Sequence, residues 1–120
     1  MKTSSAKAKG RRLQDWVASK ISDITGIEWG RDHEIMPRGM GQQGVDIILI
    51  GKARKLFPFS VEAKNQEKWA IQSYVEQAKT NTLPNTDWLL VLNKNRANPV
   101  VVLDAEVFFS LYKKLLDKGL

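Results

Sequence analysis

Apolar residues recur at helical spacing from about Gly10 to Thr25, where Leu13, Trp16, Val17, Ile21 and Ile24 form a stripe and Gly26 supplies a stop. Upstream, residues 1–8 are small and polar and predict a flexible basic tail, leaving 9–120 as a single domain. A short extended segment is expected at His33 to Met36. Met36 to Gly44 holds three glycines and a proline and reads as a loop. Val45 to Ile50 is dense in β-branched residues, the pattern of a buried strand. Gly51 to Leu56 reads as a basic turn, and Phe57 to Lys64 as the second strand of a hairpin, with Pro58 near its start.

The helical period returns between about Lys68 and Thr82, with Ile71, Tyr74, Val75 and Ala78 on one face and Pro84-Asn85 as the break. Trp88 to Leu92 and Val100 to Leu103 are two further apolar strands, separated by the polar loop Asn93 to Pro99. Asp104 is suited to cap a last helix carrying Val107, Phe108, Leu111, Tyr112 and Leu115. The order α-β-β-β-α-β-β-α predicts an α/β fold, a mixed central β-sheet flanked by helices. At 120 residues there is one core and no room for a separate recognition domain.

Composition narrows the class. The apolar share of 42% is ordinary for a globular protein, and no stretch approaches the length of a membrane span. Without Cys, disulfides and thiolate metal sites are excluded. No apolar segment follows the basic N-terminus, so a signal peptide is not expected, and a cytoplasmic protein fits best. Neither a membrane nor a small-molecule cofactor is an expected partner.

Charge points to a polyanion. Nineteen Lys and Arg against thirteen Asp and Glu leave a net +6, an excess that favours phosphate backbones. Lys2, Lys7, Lys9, Arg11 and Arg12 fall in the first twelve residues, which hold no acidic residue, and together read as a phosphate-contacting arm. Lys52, Arg54 and Lys55 form a second group in the expected turn. Lys68 lies near another element end. Arg38, in the glycine-rich loop beside Asp46, is placed to clamp a phosphate.

The chemistry-bearing residues lie on the hairpin. Asp46 begins one expected strand, and Glu62 and Lys64 lie near the end of the next, so the two ends sit side by side. Residues two apart on a strand share a face. Glu62 and Lys64 therefore project together, while Ala63 faces the other way. Two carboxylates with a backbone carbonyl make an oxygen-rich site suited to Mg2+ or Mn2+. Such an ion serves phosphodiester hydrolysis, and the Lys64 ammonium can orient the attacking water or stabilise the phosphate in flight.

Gly44-Val45-Asp46, fifteen residues, then Glu62-Ala63-Lys64 resembles the PD-(D/E)XK nuclease superfamily. More narrowly, the chain is similar to small Holliday-junction-resolvase-like members, short phage-type endonucleases among them. The likeness runs from Lys9-Gly10-Arg11-Arg12 through Arg38-Gly39-Met40-Gly41 and Phe59-Ser60-Val61-Glu62-Ala63-Lys64-Asn65. It continues through Glu76-Gln77-Ala78 to Val101-Val102-Leu103-Asp104.

The resemblance implies a restriction-endonuclease-like core with Asp46, Glu62 and the Ala63 carbonyl as metal ligands and Lys64 as the catalytic lysine. It places a glutamate of the first helix at the position held here by Gln14. On a helical wheel Gln14 lies beside Ile21 at the edge of the apolar stripe, while Asp15 points away. The Gln14 amide can hold water at the site but adds no charge, and Glu34 is a candidate to compensate. Gln77, on the flank of the second helix, matches a functional glutamine of several related families. His33, the one histidine, reads as a strand-edge residue, and Trp69 as an exposed helix residue.

The expected activity is metal-dependent DNA endonuclease, structure-selective on branched DNA. The expected assembly is a homodimer, since cutting two strands symmetrically takes two sites. The alternatives are a non-catalytic basic nucleic-acid-binding module on the same fold, and a nicking, restriction-like or homing nuclease.

Overall fold

Leu13, Val17, Ala18 and Ile21 are buried along one face of the first helix, α1 (Thr3–Thr25), in the computed structural model, which describes residues 3–39 and 43–119, with side chains from Ala6 onward. The helix starts well before the apolar period does, so residues 3–8 are helical where a tail was expected. Ala6, Lys7, Ala8 and Lys9 are good helix formers, and propensity carries the helix beyond its packed stripe. Lys2 of the expected arm and Met40 and Gly41 of the expected loop lie outside the described residues. Trp16 and Ile24, counted in the stripe, are exposed. Gly26, at φ +74°, ends the helix as expected.

Two short strands follow, β1 (Ile35–Pro37) and β2 (Ile47–Leu49), paired antiparallel with Ile35 opposite Leu49. The remaining elements are α2 (Gly51–Leu56), β3 (Phe59–Asn65), α3 (Ile71–Thr80), β4 (Asp87–Asn93), β5 (Val100–Leu103) and α4 (Ala105–Asp117). β3 and β4 run parallel across the α3 crossover, with Glu62 opposite Leu90, and β5 is antiparallel to β4. The fold is thus α/β, a mixed three-stranded sheet in the order β3-β4-β5 beside an antiparallel pair, flanked by helices.

β4 is buried on both faces. Leu89 and Val91 join the core under α1 with Ile35, Ile47, Leu49 and Val61; Leu90 and Leu92 pack with Tyr74 of α3. A strand covered on both sides reads as a continuous apolar run, which is why Trp88 to Leu92 was legible. No helix among the described residues is long and apolar enough to cross a membrane.

One element overturns the expected hairpin. Gly51 to Leu56 form a short helix, not a turn, because an N–H of its first turn finds an acceptor far away in sequence. Ala53 N donates to Glu34 Oε1 at 3.0 Å, and Ala53 is fully buried. A carboxylate at a helix N-terminus satisfies an orphan donor and opposes the helix dipole. Gly51, at φ +56°, lies against the same carboxylate; a Cβ there would meet Glu34 at 3.1 Å. Glu34 is therefore committed to α2 and does not stand in for the missing helix-1 carboxylate. Glu34→Ala is expected to lower the unfolding free energy by about 1 kcal/mol, read as a lower urea midpoint at unchanged slope. Glu34→Gln, which keeps the acceptor, should recover most of the loss.

The helix expected from Lys68 is α3, and it begins at Ile71. Residues 66–70 are held in a turn: Trp69 Nε1 donates to Gln66 O at 2.9 Å, Asn95 N donates to Glu67 Oε2 at 2.6 Å, and the Tyr74 hydroxyl donates to Gln66 Oε1. Trp69 is half-buried against Tyr74, Leu90 and Leu92 rather than exposed on a helix. Asp104 caps α4 as expected, accepting from Glu106 N at 2.9 Å and Val107 N at 3.2 Å.

Candidate active site

Asp46 sits where the two sheets meet. Its backbone N–H donates to Val61 O at 2.8 Å, so the chain entering β2 lies against the outer edge of β3. Its side chain continues that edge: Ala63 N donates to Asp46 Oδ2 at 2.7 Å. The N–H and C=O of one strand residue point to the same edge, so the Ala63 carbonyl also faces the Asp46 side. Asp46 is thus pinned against the middle residue of Glu62-Ala63-Lys64.

Glu62 and Lys64 share the α3 side of β3, while Ala63 packs into the core under α1, the alternation the strand pattern requires. Glu62 is 2% exposed, and Asn81 Nδ2 donates to its Oε1 at 2.8 Å. Asn81 is the residue at which α3 ends. Lys64 Nζ lies 5.4 Å from the centre of the Tyr74 ring, a contact that steadies the ammonium without neutralising it.

Burial pushes the Asp46 carboxyl above its usual range; the Ala63 N–H and the charges of Lys64 and Arg38 pull it back. Burial likewise raises Glu62, against the Asn81 hydrogen bond, and the Asp46 charge raises it further while Lys64 opposes. The two acids are therefore close enough to repel, with one ammonium serving both. Two crowded carboxylates and a strand-edge carbonyl are an all-oxygen donor set that a hard dication fits. Among the described residues no third His, Cys, Asp or Glu joins them.

Gln14 faces inward from α1. It is 5% exposed, and its Oε1 is buried without a hydrogen-bond partner among the described residues. Asp15 is exposed, as the helical wheel requires. Gln14 lines a cleft of about 530 Å³ together with Arg11, Trp29, Arg31 and Arg38. The cleft lies beside the acids rather than over them; Arg38 connects the two. Arg38 N donates to Asp46 O at 2.7 Å and its Nε donates to Val45 O. Trp29 and Arg31 were not singled out in the sequence, where no periodic element marks that turn.

The other basic candidates separate by position. Lys7, Arg11 and Arg12 are exposed and Lys9 half-buried on the first turns of α1, the end that packs at the end of β3: Asn65 Nδ2 donates to Lys9 O at 3.2 Å. Lys68 is exposed just after β3. These residues share the Lys64 end of the strand. Lys52, Arg54 and Lys55 are on α2, which joins the far ends of β2 and β3, and Arg54 Nη2 donates to Pro84 O at 2.7 Å. Gln77 is exposed one turn before Asn81, and it is Asn81 that reaches Glu62. His33 is exposed, 3.9 Å from Glu28.

Asn81 is the site residue the sequence reading missed. It lay within the expected helix, and its partner is nineteen residues upstream on another element. An Asn at a helix end is a weak capping signal, and nothing local links it to Glu62.

No curated protein and no solved structure gives a significant match to the chain. The family described as "Phage putative PDDEXK endonuclease" matches residues 5–119, a span that contains Asp46, Glu62, Lys64 and the elements that position them. The chain belongs to this family of phage PD-(D/E)XK endonucleases.

Proposed function

We propose that the chain is a divalent-cation-dependent endodeoxyribonuclease, selective for branched DNA and working as a homodimer in the cytoplasm of the bacterial or infected cell. The observation that carries the reading is the Asp46 carboxylate hydrogen-bonded to Ala63 N, which sets a second acid against the Glu62-Ala63-Lys64 triplet. Asp46, Glu62 and the Ala63 carbonyl would hold Mg2+ or Mn2+. When bound, the cation supplies positive charge at the scissile phosphate and lowers the pKa of water.

The chain's own residues do the rest. Ala63 N and Asn81 fix the two carboxylates, so their orientation is set before substrate arrives. Lys64 lies beside both acids. Water adds to phosphorus as the P–O bond to the leaving strand breaks, and Lys64 donates toward the charge that builds on the phosphate oxygens. Gln14 offers a buried, unpartnered acceptor on the α1 side. Arg11, Arg31 and Arg38 in the adjoining cleft, with Lys7, Lys9, Arg12 and Lys68 near the same end, suit the phosphates of the flanking strand. Backbone charge of this kind reads shape more than base sequence.

A second reading is DNA binding without hydrolysis, favoured by the neutral amide of Gln14 where a third acid is expected. A labelled four-way junction and a linear duplex of matched length separate the two. Wild type is expected to cut the junction in Mg2+ or Mn2+ and not in EDTA, and Lys64→Ala is expected to bind but not cut. Binding of both DNAs without cleavage of either would leave the binding module. Equal cleavage of duplex and junction would remove branch selectivity and leave the nuclease.

A further inference from the structure

The last helix has an apolar face with nothing among the described residues packed against it. Phe108, Phe109, Leu111, Tyr112, Leu115 and Leu116 are exposed by 38–67%, and no residue of α4 is buried. The Asp104 cap sets where the helix starts. Yet a thirteen-residue helix depends on burial of its apolar face more than on propensity.

A second uncovered surface lies at the same edge. Trp16, Ile24 and Val101 line, with Val17, Ile21 and Leu89, an apolar groove of about 380 Å³ between α1 and the β5 side of the sheet. Ile24 is 72% exposed. No residue of α4 lines the groove, although β5 runs directly into α4. The chain therefore shows an apolar helix without a groove and an apolar groove without a helix.

Charge and area say what belongs there. Residues 104–118 carry three acidic and three basic side chains, so this end is neutral in a chain of net +6. A polyanion gains nothing from it, and a membrane-surface helix would carry an excess of Lys and Arg on its polar face. With aromatic side chains offering about 150–250 Å² each, the six α4 residues together with Val100 and Val101 present roughly 700 Å² of apolar surface, above the ~300–600 Å² patch of an ordinary monomer. It is close to the ~800 Å² per partner of a stable interface.

We infer that this face is a two-fold interface between two copies of the chain, α4 of each covering the Trp16–Ile24–Val101 groove of the other. A second copy supplies both missing surfaces at once, and the contact closes on itself. β5 and β3 are opposite edges of the sheet, so Asp46, Glu62 and Lys64 stay open in both copies. The inference rests on the homodimer proposed above and names its interface; its readout is mass, so it can fail while cleavage stands.

Sedimentation equilibrium of the full chain at tens of micromolar is expected to give a dimer. Phe109→Glu and Ile24→Lys, each at an exposed position, are expected to keep the circular dichroism and cooperative unfolding of a folded chain. Each should weaken association about 30-fold or more, the loss typical of a central interface residue. An equimolar mixture of the two variants is expected to recover a dimer, because the introduced carboxylate meets the introduced ammonium across one contact and the other is unaltered. A monomeric wild type would overturn the inference, as would a dimer that survives both substitutions. Dissociation by Phe109→Glu alone would overturn the groove as the seat of α4. A monomer that pellets with anionic vesicles would replace the second copy by a membrane surface.

Discussion

Asp46→Asn is expected to abolish strand cleavage, by about 10³-fold or more in single-turnover rate, the scale on which loss of one preorganised charge at a phosphate site is felt. Junction binding should stay within a few-fold of wild type. The substitution is informative because it separates charge from structure. Asp46 Oδ2 accepts from Ala63 N at 2.7 Å, and the oxygen of an Asn amide can accept the same bond, so the chain entering β2 keeps its anchor on β3. What is lost is the charge of a proposed cation ligand, and an N–H₂ now points where a cation would be held. Burial already disfavours the ionised Asp46 in the folded protein, outweighing the Ala63 N–H and the charges of Lys64 and Arg38, and the Asp46 charge in turn raises Glu62. Removing that charge should therefore leave thermal stability equal or higher by about 1 kcal/mol. Cleavage in Mg2+, a gel shift in EDTA and a melting curve together decide it. An active Asp46→Asn, or an inactive one that melts earlier, would count against Asp46 as a ligand.

Asn81→Ala should cost about 10–100-fold, the range for residues that orient a ligand without touching the cation. Glu62 is 2% exposed, and Asn81 is its one side-chain donor among the described hydrogen bonds. Without that donor the buried carboxylate is freer to turn and harder to ionise, so more cation is needed for the same rate. The loss should appear as a raised half-saturating Mg2+ concentration, with the rate at saturation less affected. Asn81→Asp should be worse, because two acids then face each other at hydrogen-bond distance and share a proton. The helix end survives in both, since the backbone N–H of residue 81 donates to Gln77 O. An equal fall in rate at every Mg2+ concentration would make Asn81 a merely structural residue.

What was legible in the sequence was what neighbours in the chain decide. Val100 to Leu103 is a strand at the expected residues, and Asp104 caps the helix after it, because β-branched runs and caps are local signals. The Asp46 and Glu62–Lys64 constellation was legible because its spacing is a motif. α2 was not, since its capping carboxylate is Glu34, nineteen residues before Ala53 and just ahead of β1. The glycine and three basic residues of Gly51 to Leu56 say turn as readily as helix until that partner is in place. Asn81 was hidden for the same reason. Trp16 and Ile24 fit the period of the buried stripe and yet face out, because period reports which side of a helix is apolar and not whether anything covers it.

The meeting of the two sheets at Asp46 has a thermodynamic side. Glu62 and Lys64 belong to the unit built from β3, α3 and β4, whereas Asp46 belongs to the chain entering the smaller β1–β2 pair, and the bonds from Asp46 N–H to Val61 O and from Ala63 N–H to Asp46 Oδ2 join the two there. Whatever binds between the two acids spans that seam and acts as a clasp. Ligand occupancy and local cohesion then become one equilibrium, and amide protons along β2 should exchange more slowly as the clasp fills.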